Sequence, residues 1–291
     1  MEFTFTKLHG TGNDFILLDA RARTADWPRL SARLCDRHFG IGADGLILVL
    51  PSQRADFRMR IFNPDGSEAE MCGNGIRCFA KFVREELLAE PGRAALTVET
   101  QAGVRQLQLE ARDGQIEHVR VAMGAPEFQP QRVPLALPQG AVPSAGRGAE
   151  GPVLDYPVTV AGHSLRLTCL SLGNPHAVHF QDAPVADFPL KEVGPQVEHL
   201  PLFPQRVNFE VVRVRGRTRL DVAVWERGAG PTLACGTGAC AAMVAARLHG
   251  WVDDVVEAEL PGGPLRITWP GRGEVMLEGP VARVFTGTWR G

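Results

Sequence analysis

A chain of 291 residues with 31 Lys+Arg against 33 Asp+Glu, a formal net charge of -2 and 44% hydrophobic residues has the profile of an ordinary soluble globular protein. Its length suits two cores of about 100–150 residues each. The near-neutral balance excludes a nucleic-acid surface spread along the chain, and the longest apolar runs, 47–51 and 239–246, fall far short of the roughly 18–20 residues that cross a bilayer.

In chain order, the alternating start MEFTFTKLHGTGNDF lacks the basic region, apolar block and small-residue cleavage site of a leader and predicts a first strand, hence a cytoplasmic protein. A helix is expected over 30–38, strands over 46–50 and 57–62, and a second helix over 75–88. Strands follow at 96–99, 106–110 and 119–123. The stretch 126–157 carries seven prolines among several glycines and reads as a crossover between domains. Beyond it come strands at 158–160 and 165–170, a second Pro-rich connection over 184–204, strands at 207–214 and 220–225, and a helix over 238–249.

Two segments repeat. RMRIFNPDGSEAEMCGNGIRCFAKFV (58–83) and RLDVAVWERGAGPTLACGTGACAAMVA (219–245) each give an alternating strand, a polar residue at its end, a glycine-containing loop, and Cys-Gly-x-Gly opening an apolar helix. Asn63 precedes Cys72, and Glu226 precedes Cys235, by nine positions. Gly12-Asn13 and Gly173-Asn174 form a second pair, offset by 161 where the cysteines are offset by 163. Two agreements at nearly one offset point to a duplicated chain.

Each half therefore delivers a cysteine to a helix start. Such a start has backbone N–H groups without partners and partial positive charge, so it binds anions, and the glycines at 73, 75, 236 and 238 let a carboxylate approach. The same field favours thiolate at Cys72 and Cys235; a helix-end interaction of roughly 1–2 kcal/mol lowers a thiol pKa by about 1–1.5 units. Two thiols sharing one ligand titrate as a unit, with one thiolate and one thiol as the stable state. That state can take a proton from one face of a carbon and return another to the opposite face. With no phosphate loop, no dinucleotide fingerprint and no Cys-x2-Cys pair, the charge that develops must be held by the substrate's own carboxylate at the helix starts.

The motifs KLHGTGNDF (7–15), GIGADGL (40–46), MCGNGIRCFA (71–80), LGNPHAV (172–178) and WERGAGPTLACGTGACAA (225–242) resemble those of the diaminopimelate epimerases over essentially the whole chain. The resemblance implies an α/β (α+β) fold of two pseudo-symmetric domains, each a curved, mostly antiparallel sheet around a central helix, with the active site in the cleft between them. The halves would be 1–124 plus about 277–291, carrying Cys72, and 125–276, carrying Cys235. It further implies a cytoplasmic homodimer without cofactor or metal that interconverts L,L- and meso-diaminopimelate for lysine and peptidoglycan-precursor synthesis. By matching motif, Asn13, Asn63, Asn174, Asn208, Glu226 and Arg227 would hold the distal groups of the substrate, and Gly73, Asn74, Gly236 and Thr237 the reacting carboxylate. Part of the family has Gln where this chain has Gly45, so any contact from that side chain is missing here. Proline-racemase-like relatives usually have His in place of Asn74 and Asp-Arg in place of Glu226-Arg227, and the phenazine-biosynthesis branch lacks the paired cysteines.

Two other classes explain part of the pattern. A thiol redox enzyme would use reactive cysteines but wants them close in sequence, and an amino-acid-binding protein would use the helix starts without needing thiols. Cys35, Cys78, Cys169 and Cys240 read as packing residues, and His176-x2-His179 as a polar liner of the pocket and not a metal site. Mild oxidation of two such thiols is expected to join them reversibly.

Overall fold

The computed structural model describes residues 2–88, 92–137 and 151–291, and the chain divides into two compact units, Met1–Ala122 with Glu278–Gly291, and Met123–Leu277. The centre of the expected crossover, 138–150, lies outside the described residues.

The first unit opens with β1 (Glu2–Gly10) and β2 (Asn13–Asp19), antiparallel and joined by the two-residue turn Thr11-Gly12, both at positive φ (51° and 80°). Such a turn matches the twist of paired strands and fixes Asn13 at the mouth of the hairpin. Helix α1 (Trp27–Cys35) follows; it begins earlier than the sequence predicts because Asp26 caps the N–H of Arg29 and Pro28 pre-sets the first turn. It carries the chain over to β3 (Gly45–Leu50), parallel to β2. Next come β4 (Phe57–Phe62), antiparallel to β3, the short β5 (Glu68–Ala69), and α2 (Gly73–Phe82), every residue of which is buried. One π turn, Val83–Leu87, prolongs it to the expected end. β6 (Ala95–Thr100) lies parallel to β4, and β7 (Gly103–Arg112) and β8 (Gln115–Ala122) continue antiparallel. The strands surround α2, which packs on β1, β2, β3, β4, β7 and β8.

The second unit repeats this order. β9 (Val153–Val160), β10 (His163–Ser171) and β11 (Pro175–Phe180) are antiparallel in turn. Helix α3 (Leu190–Glu198) then leads to β12 (Asn208–Gly216), parallel to β11. β13 (Arg219–Glu226), β14 (Gly230–Thr232), α4 (Gly236–Leu248), β15 (Val255–Leu260, parallel to β13) and β16 (Gly263–Thr268) complete the copy. Strand β17 (Met276–Pro280) crosses the boundary, and β18 (Ala282–Arg290) returns to the first unit, antiparallel to β1. The antiparallel and parallel pairings fall in the same order in both units, so the duplication read from the cysteine motifs extends to the whole topology. The result is a mixed α+β fold with few helices.

Helix α3 corrects the reading of 184–204 as a bare connection. Pro195 lies inside it, yet Val193 and Val197 are fully buried, and Gly194 lies so close to the Trp225 ring that a Cβ would come within 2.6 Å of it. The indole Nε1 donates to Glu198 Oε2 at 2.7 Å. Packing on β13 outweighs the one backbone hydrogen bond that proline removes. No helix among the described residues is long and apolar enough to cross a membrane.

Candidate active site

In the first unit Cys72 is the N-cap of α2. Its backbone is extended (φ -140°), its carbonyl accepts the first helical bond from Ile76 N at 2.9 Å, and its sulfur accepts from Gly75 N at 3.4 Å. Gly75 sits in close quarters, since a Cβ there would lie 3.0 Å from Ile47 Cδ1 and 3.2 Å from Ile61 Cδ1. Asn13 reaches this sulfur: Cys72 Sγ–H donates to Asn13 Oδ1 at 3.8 Å and Asn74 Nδ2 donates to the same oxygen at 3.2 Å. Asn13 is turned this way by Asp44, whose Oδ2 accepts from Asn13 Nδ2 at 2.7 Å. Arg37 bridges Asp44 to Asp14, and Lys7 also pairs with Asp14 at 2.8 Å. Burial opposes ionisation of Asp14, but its bonds to Arg37 and Lys7 win and hold its carboxyl at about 2. Beneath the hairpin the fully buried Arg77 donates to Gly73 O and Thr11 Oγ1.

Asn63 is occupied as a turn residue. Its Nδ2 donates to Ser67 Oγ at 2.9 Å, and its backbone N–H and carbonyl close the 63–67 loop. Structure thus brings Asn13, Cys72, Gly73 and Asn74 together and leaves Asn63 in a hydrogen-bonded turn at the end of β4.

In the second unit Cys235 caps α4 in the same manner, accepting from Gly238 N at 3.3 Å, with φ -117°. Thr237 Oγ1 lies 3.5 Å from its sulfur, and Asn174 Nδ2 donates to Thr237 Oγ1 at 3.3 Å. Glu226 Oε1 accepts from Thr232 Oγ1 at 2.6 Å. Asn208 is buried and structural: its Nδ2 donates to Pro175 O at 3.0 Å, and its Oδ1 accepts from Arg227 N at 2.9 Å. Its side chain thereby fixes the backbone at Arg227, whose exposed guanidinium donates to Gln205 O. Cys235, Gly236, Thr237 and Asn174 form one group, and Asn208, Glu226 and Arg227 line the end of β13 beside it.

The helix-start field favours thiolate at both cysteines, with one of the pair expected to rest as a thiol, but at Cys235 other forces outweigh that field. Burial pushes this thiol well above the ordinary value and the carboxylates of Glu226 and Glu210 add to the effect; the hydrogen bonds from Thr237 and the Gly238 N–H act the other way and lose. Cys235 therefore rests as a thiol. Burial likewise raises Cys35 to about 11, Cys169 to about 12 and Cys78 further still, which suits packing residues.

His176 lies deeper than a pocket liner would. It is fully buried, with Nδ1 at 2.7 Å from Glu210 Oε1 and Nε2 at 2.9 Å from Asn174 Oδ1. His179 instead meets the Arg166 carbonyl and the Phe188 ring, so the two imidazoles do not converge, and no group of three potential metal ligands occurs among the described residues. Glu210, Asp44 and Arg77 escaped the sequence reading; Glu210 alone had a signal, a carboxylate amid the apolar strand VNFEVV.

Comparison with known proteins fits this geometry. Residues 5–129 and 168–284 match the profile of the family described as diaminopimelate epimerase. The diaminopimelate epimerase of Moorella thermoacetica is 51% identical over 97% of this chain and 98% of its own length. Diaminopimelate epimerase 1 of a Nostoc species is 48% identical over 99% of each. Among solved structures, a hydroxyproline epimerase from Agrobacterium vitis with bound trans-4-hydroxy-L-proline superposes with a TM-score of 0.69 at 15% identity, covering 99% of this chain and 92% of that one. A Bacillus anthracis protein of the phenazine biosynthesis PhzF family gives 0.65 at 16% identity, over 100% and 99%. These two share the fold, whereas identity near one half over full length shows more: the chain belongs to the diaminopimelate epimerase family.

Proposed function

We propose that this protein is a cofactor-independent isomerase that interconverts L,L- and meso-diaminopimelate, with Cys72 and Cys235 as its two proton carriers. The observation that supports it most is the duplication of one device: in each unit a cysteine caps a buried helix, accepts the N–H three residues on, and is met by an asparagine-bearing loop. Cα–H is a very weak acid, and a thiolate can remove its proton only if the charge moving into the adjoining carboxylate is held. The N–H groups at Gly73, Asn74, Gly236 and Thr237 supply that hold at the two helix starts.

Charge balances without a cofactor. One thiolate becomes a thiol by taking the α-proton, and one thiol becomes a thiolate by returning a proton to the other face. Burial keeps Cys235 poised to give a proton, and which cysteine takes the α-proton follows from the isomer bound. Glu226 and Arg227 recognise the far end of the substrate, where Arg227 can grip a carboxylate with two parallel bonds and Asn208 holds the Arg227 backbone in place. The active form is a cytoplasmic homodimer, which sedimentation at working concentration checks, and its reaction belongs to lysine and peptidoglycan-precursor synthesis.

The test is chiral separation of diaminopimelate isomers after incubation with protein treated with chelator and stripped of carbonyl cofactors. Interconversion at the untreated rate is expected. Loss of activity restored by a metal or by pyridoxal phosphate would overturn the reading.

A further inference from the structure

The second unit holds a buried polar group that the proton carriers themselves do not require. Glu210 and His176 have no solvent exposure, and Glu210 Oε2 is buried without a hydrogen-bond partner. The corresponding positions of the first unit are apolar: β2 pairs Leu17 with Ile47 where β11 pairs Val178 with Glu210, and Phe15 stands where His176 does. Since the first unit folds with Phe and Ile there, folding alone does not call for a carboxyl and an imidazole.

A continuous path of hydrogen bonds leads from Glu210 to the sulfur. Glu210 Oε1 lies 2.7 Å from His176 Nδ1, His176 Nε2 is 2.9 Å from Asn174 Oδ1, Asn174 Nδ2 is 3.3 Å from Thr237 Oγ1, and Thr237 Oγ1 is 3.5 Å from Cys235 Sγ. The direction of each bond follows from the next. Asn174 gives its N–H to Thr237, so the hydroxyl keeps its own proton for the sulfur. Asn174 Oδ1 can only accept, so His176 carries a proton on Nε2. That leaves Nδ1 to be satisfied by Glu210. Burial raises the Glu210 carboxyl while the His176 imidazole opposes that rise, so the two groups hold one another across Nδ1. From His176 Nε2 onward every donor points toward Cys235.

We propose that Glu210 is a positioning residue: through His176, Asn174 and Thr237 it fixes the Thr237 hydroxyl as a donor to Cys235, and so eases the thiolate that Cys235 must become after giving up its proton. The role rests on the two-thiol reading, but it concerns Cys235 alone and can fail separately. Cys235 is buried near Glu226 and Glu210, so its thiolate would otherwise meet burial and two carboxyls with only the Gly238 N–H in its favour. The titratable groups around Glu210 are His176 on β11, Cys169 on β10, Glu226 on β13 and Cys235 at the start of α4. Gly238 admits Glu210 to this place; a Cβ there would be 3.0 Å from Glu210 Oε1.

The experiment is a cycle read as the alkylation rate of Cys235 at pH 8.5, resolved by peptide mapping of the ligand-free protein. Thr237→Val should slow it about tenfold, as should the double replacement His176→Phe with Glu210→Ile that copies the first unit, and the triple variant should be no slower. Multiplying effects, or faster alkylation in the double variant, would overturn the proposal. Nitrogen-15 NMR of the unaltered protein gives a second reading that needs no core replacement. A proton on His176 Nε2 is expected, and a ring protonated on Nδ1 alone would reverse the path and refute it.

Discussion

The starts of α2 and α4 are two copies of one construction that differ in what turns the asparagine beside the sulfur. At Cys72 the orienting group is an exposed carboxylate: Asp44 takes the Asn13 amide N–H, so Asn13 presents an oxygen that accepts from Asn74 and from the thiol. At Cys235 the orienting group is a buried imidazole: His176 takes the Asn174 oxygen, so Asn174 presents an N–H and Thr237 is left to donate to sulfur. One sulfur meets an acceptor and the other a donor. Duplication supplies two proton carriers, and divergence of a few buried positions makes them unequal, which a reaction running between unlike faces of a carbon can use.

The largest effect should come from removing either carrier. Cys72→Ala and Cys235→Ala should each lower epimerisation by roughly 10⁴-fold, the upper end of what one positioned proton carrier supplies, as read by isomer-resolved chromatography. A variant within tenfold of the parent would end the symmetry of the two roles. Arg227→Ala should lower kcat/KM for diaminopimelate by about 10²-fold, and lysine, alanine and proline should be poor substrates, because a site built to pair a charged group is left unsatisfied by a ligand lacking it. Efficient proline racemisation would contradict this.

Smaller effects separate the two ends. Asp44→Ala should cost about tenfold in turnover by freeing Asn13, the worth of roughly one hydrogen bond, without changing the Cys235 alkylation rate. A change at Cys235 would mean that the two environments are not independent. Alkylation of Cys235 in the ligand-free protein should remain slow through the ordinary thiol range near pH 8.5 and climb only above it, since burial and the Glu226 and Glu210 carboxyls raise this thiol. Cys78→Ala or Cys240→Ala, both wholly buried, should leave turnover within about threefold.

The sequence made the two helix starts legible because Cys-Gly-x-Gly recurs at a fixed distance from a strand end, and local repetition of that kind survives without knowledge of tertiary contacts. It also showed which asparagines travel with them. What it could not show is burial from distant strands. The pull toward thiolate at Cys235 belongs to one helix end, whereas the thiol's state is set first by burial and then by the carboxyls of Glu226 on β13 and Glu210 on β12. Asn63 and Asn208 illustrate the same limit, since their motif positions match the family while their side chains here are spent on a turn and on the Arg227 backbone. Helix α3 was hidden by Pro195 and revealed by Trp225 packing. β15 and β16 alternate as the preceding strands do, whereas β18 joins β1 across almost the full chain length, a pairing that no local pattern encodes.

The central claim is that two carriers act, one taking the proton and another returning a different one. Incubation of L,L-diaminopimelate in D2O, stopped early and analysed by proton NMR and mass spectrometry, tests it most directly. Thiol protons exchange with solvent, so the account predicts that newly formed meso product carries deuterium at the inverted carbon while the remaining L,L pool keeps its protium. Early deuterium in the recovered L,L substrate at a rate matching product formation would show a single carrier working one face and would contradict the account.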